Sequence, residues 1–293
     1  VPLRVRYDKT AQLRSGVKNF GNAYHVANSN WKTIHNPITE QMLSTGKNIS
    51  SQSLDDDVYY NRMKGETHTR SLRDYHNLVV KKHLIDTVAQ PGNTLIDFAV
   101  GKAGDFPKWI NSRLSFIYGI DFSRDNIENQ INGACVRYLK KKSEYRNIPY
   151  TVFLHGDSSK NIRNGEAIFS ERHKSINNAI FGEGPKDKTA LGNGIYNVYG
   201  KGHDGFQISS CQFAIHYFFE NPFKLKQFIE NVSTCTLVGG YFIGTCYNGS
   251  EVFEKLIKKK KGESVSLFDG SHKLWEIVKE YDTEKFNADA SSI

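Results

Sequence analysis

Between residues 94 and 155 short apolar runs alternate with helix-like stretches, and this alternation constrains the fold more than any other feature. Thr94-Leu95-Ile96-Asp97-Phe98 reads as a strand, and a small-residue turn and a helix near 105–111 follow it. A second strand, 116–121, ends in Asp-Phe-Ser. Upstream, Leu78, Val79, Leu84, Ile85 and Val88 recur at helical spacing across 75–89, and Pro91-Gly92 stops that helix. Downstream, a long helix is predicted over 126–142, strands over 150–155, 206–211 and 240–247, and a helix over 222–232. Strands that alternate with helices predict an α/β chain with a mainly parallel sheet covered by helices on both faces.

The flanks carry less pattern. Residues 1–48 are basic and Asn-rich apart from Leu3-Arg4-Val5-Arg6-Tyr7, which alternates like a strand. A Ser- and Asp-rich tract then predicts a linker over 49–69, leaving 70–293 as the main domain. Residues 161–205 hold a Gly-, Asn- and Lys-rich run longer than ordinary connections, read as an insertion and a mobile flap. The chain begins with Val, as expected for a processed or excised piece. Cys135, Cys211, Cys235 and Cys246 lie far apart with no paired spacing, which predicts reduced thiols and neither a zinc site nor a disulfide framework. No run approaches the roughly 18–20 apolar residues of a membrane-crossing helix. Thirty-nine Lys and Arg against 31 Asp and Glu give +8, which favours an acidic partner.

The turn from Asp97 to Asp105 (DFAVGKAGD) sits between the first strand and the next helix, where small residues let a ligand approach the backbone. Asp121 ends the second strand, the place where an acid can accept two hydrogen bonds from a ribose diol. Asp157 follows the third strand on the same carboxyl edge, where a strand-end cap is the plainer reading. Together the turn and Asp121 point to an adenosine-containing ligand.

Four blocks resemble the messenger-RNA cap guanine-N7 methyltransferases. They are Leu72-Arg73-Asp74-Tyr75-His76-Asn77, the turn DFAVGKAGDFPKW from Asp97 to Trp109, the block SCQFAIHYFFE from Ser210 to Glu220, and the strand GGYFIGT from Gly239 to Thr245. The opening, Leu3 to Lys9, resembles the last motif of capping guanylyltransferases, so residues 1–48 are expected to end an oligonucleotide-binding-fold domain or to form an N-terminal extension. Such a fusion is similar to the multifunctional capping enzymes of large cytoplasmic DNA viruses. The resemblance implies a Rossmann-like, class I fold, the cofactor S-adenosyl-L-methionine, and methyl transfer to the cap guanine of viral mRNA. It also implies capped mRNA as partner, triphosphatase and guanylyltransferase domains in the same polypeptide, no membrane, and a place in host cytoplasm and virion.

Carried over by position, the resemblance puts Lys81 on the cofactor's carboxylate, the backbone of Ala99 and Gly101 beneath it, Asp121 on the ribose, Asp157 facing the adenine, and Gln212 and Tyr217 in the same pocket. His76, Asn77 and His216 would border the guanine, with Lys102, Lys108 and Arg137 near the cap phosphates. The spacing from Asn77 to Lys81 is one residue longer than the family pattern, which leaves Lys82 as the rival of Lys81. Ala99 and Ala103 stand where the family has Gly, and their methyls are expected to narrow the space above the turn. A non-catalytic cap- or RNA-binding module with a closed cofactor site is therefore the alternative. Tyr247 replaces a Pro, and the family's carboxyl-terminal strands find no match, so the domain is expected to be incomplete at that end. The guanine nitrogen carries a lone pair at neutral pH, so transfer from a sulfonium needs no catalytic residue, base or metal, only alignment. Lys140–Lys142 and Lys258–Lys261 would extend a track for RNA phosphates, or else serve as solubilising surface.

Overall fold

In the computed structural model, residues 7–16 and 69–283 are described. The chain divides into two compact units, residues 1–55 and 56–293. In the first, Tyr7–Arg14 is helical, so Tyr7 does not belong to the strand expected over 3–7, whose other residues lie outside the described set. Of the expected linker only Thr69 is described.

The second unit is built on five parallel strands: β1 (Thr94–Asp97), β2 (Phe116–Asp121), β3 (Tyr150–His155), β4 (Phe206–Gln212) and β5 (Thr236–Thr245). Their order is β3-β2-β1-β4-β5. Every residue of β1 and β2 is buried, because side chains alternate between two apolar layers. Ile96, Phe116, Tyr118 and Phe206 face one layer with Phe98, Phe181 and Phe228. Leu95, Ile117, Ile208 and Ile243 face the other, with Phe106 and Trp109. The chain moves outward from β1 in one direction through β2 and β3, then returns to the other side for β4 and β5. The crevice beyond the β1 and β4 carboxyl ends is thus the topological switch point, where open sheets of this kind bind ligands.

The structure corrects further expectations, among them the strand expected over 240–247, which runs from Thr236 to Thr245. The single helix predicted over 126–142 is two, Arg124–Glu128 and Ala134–Glu144. Gly133 sits at the break, where a Cβ would fall 2.7 Å from the backbone nitrogen and oxygen of Asn129. The stretch 161–205 holds secondary structure, helices Glu171–Ile180 and Lys188–Tyr196, and its first half sends Ile162, Asn177, Ile180 and Phe181 into the core with no exposed surface, whereas 183–190 is exposed and the second helix buries no residue. Buried amides hold this lobe. Tyr118 donates to Asn177 Oδ1 (2.6 Å), Asn177 Nδ2 donates to the Ile162 carbonyl (2.8 Å), and Asn231 Nδ2 donates to the carbonyls of Ser158 (2.9 Å) and Lys160 (2.7 Å). Beyond β5, where the sequence assigned no strands, a helix (Gly249–Leu256) leads to an antiparallel pair, β6 (Ser264–Asp269) and β7 (His272–Val278), turned at Gly270 with φ 58°. Finally, the Ala103 methyl belongs to one buried layer and Ala99 packs against the other, so the two methyls are core contacts.

Candidate functional site

The helix before β1 is Arg70–Tyr75, then a π-helical turn His76–Val80, then Lys81–Val88. A π turn takes in one residue more than an α turn, so the chain absorbs the extra residue between Asn77 and Lys81 without losing the helix face. Lys81 therefore reaches the crevice, its Nζ 3.2 Å from Asp105 Oδ2, while Lys82 turns outward to the neighbouring Asp86. Lys108 Nζ meets the other Asp105 oxygen at 2.7 Å. Asp105, at the N-terminus of the helix Phe106–Asn111, is the hub of two lysines that sequence reasoning had given to different ligands.

Beside this hub, Asp97 ends β1 almost fully buried. Its Oδ1 accepts the Ala99 N–H at 3.1 Å. Burial, reinforced by the Asp105 charge, pushes its carboxyl up to about 7 against the opposing Ala99 N–H, Lys81 and Ser210. Sequence reasoning assigned Asp97 no role; its place at the end of an apolar strand was the available signal. Phe213, also missed, follows β4 with φ 57°, a conformation uncommon for a side-chain-bearing residue. Its N–H donates to the Thr245 carbonyl (2.9 Å), and its ring lies 4.9 Å from His76 and 5.7 Å from the Lys81 ammonium. The Nδ1 of His76 is buried and hydrogen-bonds to nothing among the described residues. Gln212 is buried beside this ring, its Oε1 accepting from Thr245 Oγ1 at 3.1 Å.

The next strand end carries a second cluster. Asp121 accepts the Gly101 N–H on Oδ2 (2.7 Å) and the Ser123 N–H and Asn126 Nδ2 on Oδ1 (2.9 Å each). Burial still raises its carboxyl above the usual range, outweighing those three donors. The turn is shaped by positive φ at Gly101 (55°) and Ala103 (53°), and no atom lies within 4 Å of where a Cβ on Gly104 would be. Two exposed rings, Phe122 and Phe169, meet edge to face at 5.8 Å next to Asp121, and His155 packs 4.5 Å from Phe169. Neither phenylalanine was singled out in the sequence, since a lone Phe after β2 or in the connection before the helix Glu171–Ile180 carries no pattern. Asp157 is used locally, its Oδ1 accepting the Ser159 N–H (2.9 Å) and hydroxyl (2.6 Å).

On the β4 side, a 3-10 turn, Ile215–Glu220, brings His216 4.2 Å from Tyr217 and 5.9 Å from Tyr247. Burial lowers the His216 pKa. Asn77 lies half-buried on the π turn beside His76. Lys102 is buried elsewhere, bound to Asp125 Oδ2 (2.8 Å) and Asn132 Oδ1 (2.9 Å), and Arg137 is half-buried on the helix Ala134–Glu144. The structure thus gathers Lys81 and Lys108 at one point, and it commits Lys102 to a structural ion pair.

The groups at these strand ends match in kind a ligand with an adenosyl group and a cationic head. Asp121, with one donor on Oδ2 and two on Oδ1, keeps acceptor capacity on Oδ2, and the exposed Phe122 and Phe169 rings lie next to it. Asp97 makes no ion pair among the described residues, because the Lys81 that acts on it from nearby is bound to Asp105.

The family model described as the mRNA (guanine-N(7))-methyltransferase domain matches residues 53–271. The chain is 29% identical to the "Probable mRNA-capping enzyme" of Acanthamoeba polyphaga mimivirus over 97% of this chain and 24% of that protein. It is 24% identical to the "mRNA cap guanine-N(7) methyltransferase 1" of Arabidopsis thaliana over 83% of this chain and 57% of the relative. The chain thus spans between about a quarter and somewhat over half of the length of these curated relatives. Among solved structures, an S-adenosylmethionine-dependent methyltransferase from Clostridium acetobutylicum matches with TM-score 0.38 and 11% identity, covering 67% of this chain and 57% of that one.

Proposed function

Because this chain belongs to the mRNA (guanine-N(7))-methyltransferase family, we propose that it transfers a methyl group from S-adenosyl-L-methionine to the cap guanine of viral mRNA. The observation that carries the reading is the crevice at the β1 and β4 ends, where a buried, high-pKa Asp97, the Lys81–Asp105–Lys108 hub and the His76–Phe213 pair meet. The cofactor, when bound, supplies a methyl group on a positively charged sulfur.

The residues of this chain bind and orient. Asp97 attracts the cationic amino group of the cofactor's amino-acid end, and Lys81 its carboxylate. Asp121 holds the ribose diol over the turn at Ala99 and Gly101, and Phe122 and Phe169 flank the adenine, with Asp157, Gln212 and Tyr217 at the rim of the same pocket. His76, Asn77 and His216 border the guanine, with Phe213 between His76 and Lys81; of the cations expected on the cap phosphates, Lys102 is taken up by Asp125 and Lys108 by Asp105, and Arg137 stands on the cap side. None of these groups has to accept a proton, since the attacking ring nitrogen already carries its lone pair. Holding nucleophile, carbon and sulfur in line supplies on the order of 7–11 kcal/mol. Positive charge moves from the sulfur to the guanine as the methyl passes, so hydrogen-bond acceptors facing the guanine favour the transfer.

In this reading the chain is the methyltransferase part of a multifunctional capping enzyme of a large cytoplasmic DNA virus, of the kind African swine fever virus encodes, and acts in the host cytoplasm and the virion beside triphosphatase and guanylyltransferase domains. The mimivirus relative, matched over 97% of this chain, supports that context. Among the described residues no helix is long and apolar enough to cross a membrane. The non-catalytic alternative rested on alanine methyls filling the turn; both pack into the core instead. The test is methylation of an unmethylated cap dinucleotide with radiolabelled cofactor. Label is expected on the guanine, lost in Asp121→Ala; binding of cap without binding of cofactor would overturn the proposal.

A further inference from the structure

Three lysines of this chain are buried among the described residues, and two obey the usual rule for a buried charge: Lys102 is bound to Asp125 and Lys108 to Asp105. The third, Lys279, does not. It is 5% exposed, and its Nζ donates to the carbonyl of Lys259 (3.0 Å) and lies 5.0 Å from the Tyr281 ring centroid, with no carboxylate within ion-pair distance among the described residues.

Lys279 lines a cavity of about 490 Å³ together with Ile257, Lys258–Lys261, Tyr281 and Asp282. Of these five lysines only Lys261 has a carboxylate partner among the described residues, Asp282 at 2.8 Å. The Tyr281 hydroxyl is buried and hydrogen-bonds to nothing there. The cavity wall is pinned by backbone: Gly262 N–H donates to the Lys279 carbonyl (2.7 Å), Lys279 N–H to the Glu263 carbonyl (2.9 Å), and Lys260 N–H to Glu263 Oε2 (2.8 Å). Four lysines with no carboxylate partner among the described residues thus line one opening beside a hydroxyl with no partner among them, against the single carboxylate of Asp282 in the same wall, an arrangement that fits an anion with several acceptor oxygens.

Resting on the methyltransferase reading, we propose that this cavity, outside the sheet-edge crevice, binds phosphates of the RNA strand downstream of the cap. A strand of phosphodiesters matches both the sign of the charge and its spread over residues 258–261 and 279, whereas a single small anion would engage only part of it.

The test titrates the full chain with an uncapped 20-nucleotide RNA in the presence of saturating cap dinucleotide, across a salt series. Lys258→Glu/Lys260→Glu is expected to weaken binding tenfold or more at low salt and to make the salt dependence shallower by about 1.4, for two lost phosphate contacts on a single strand. The matched variant Lys140→Glu/Lys142→Glu is expected to lose much less. Equal losses in the two variants would reveal general surface attraction and overturn the proposal. So would unchanged affinity in the first variant, or tripolyphosphate displacing the RNA at a lower concentration of charge than RNA itself. Methylation of the cap dinucleotide, which has no downstream strand, is expected to be the same in the variant and the natural chain. Its absence in the natural chain would defeat the methyltransferase reading and leave the RNA titration standing.

Discussion

Asp97 shows how one buried side chain couples the site to stability. In the unfolded chain its carboxyl ionises at about 3.8, whereas burial and the Asp105 charge hold it protonated up to about 7 in the fold. Between these values the unfolded state has released the proton and the folded state has not, so the folded state loses stability as pH rises from about 4 to about 7 and levels off above. A shift of about three units bounds the loss at roughly 4 kcal/mol. Asp121, raised for the same reason, acts in the same direction. Asp97→Asn keeps the shape and removes the charge. It is expected to flatten the fall in urea midpoint between pH 5 and 8 and to be more stable than the natural chain at pH 8. Superimposable pH profiles would contradict this account.

The helix leading into β1 carries the corresponding argument at the scale of an element. Its apolar spacing is visible in the sequence, but the π turn is not, because one inserted residue leaves the composition unchanged and alters only which side chain faces inward. The structure decides between neighbours: the Lys81 side chain is 15% exposed and bound to Asp105, and that of Lys82 is 52% exposed and paired one helical turn away. Lys82→Met is therefore expected to change stability by no more than about 0.5 kcal/mol and to leave cofactor affinity alone. Lys81→Met removes a charge-assisted contact of about 1.5–3 kcal/mol, so calorimetry should show a tenfold to hundredfold loss of S-adenosylmethionine affinity. Equal losses in the two variants would remove the face assignment. The strands were legible for a related reason. A strand buried on both faces must be a short unbroken apolar run, as β2 and β3 are, and both fall at the expected limits. The break at Gly133 and the pair β6–β7 left no such mark: one depends on a single close approach, and the other is a half-exposed hairpin rich in charge. The Asp105 hub was hidden for want of distance information, since its lysines lie 24 residues upstream and three downstream.

At the scale of the whole molecule, the lobe at 161–205 looked mobile because its glycines, asparagines and lysines are what solvated loops contain. Of its asparagines one, Asn177, is an interior fastener, and Asn231 on the helix before β5 is another. A hydrogen-bonded path leads from the turn at the site into the lobe: Ser158 Oγ donates to the Phe98 carbonyl (2.7 Å), Asn231 joins Ser158 and Lys160 to the Ile162 N–H (3.1 Å), and Asn177 joins Ile162 to Tyr118 on β2. Turn, lobe and sheet should consequently unfold together. Asn231→Leu is close in volume but strands one N–H and two carbonyls in the interior, each costing about 1–3 kcal/mol when left unpaired. The expected loss is about 3 kcal/mol or more, a large share of the 5–15 kcal/mol typical of a domain, read as a lower urea midpoint in a single transition. Limited proteolysis of the natural chain should likewise find no cleavage within 161–181 before the sheet itself opens. A variant within about 1 kcal/mol of the natural chain, or early cuts in that stretch with the sheet intact, would mean that the lobe is an independent appendage and that the path from Phe98 to Tyr118 does not couple it to the site.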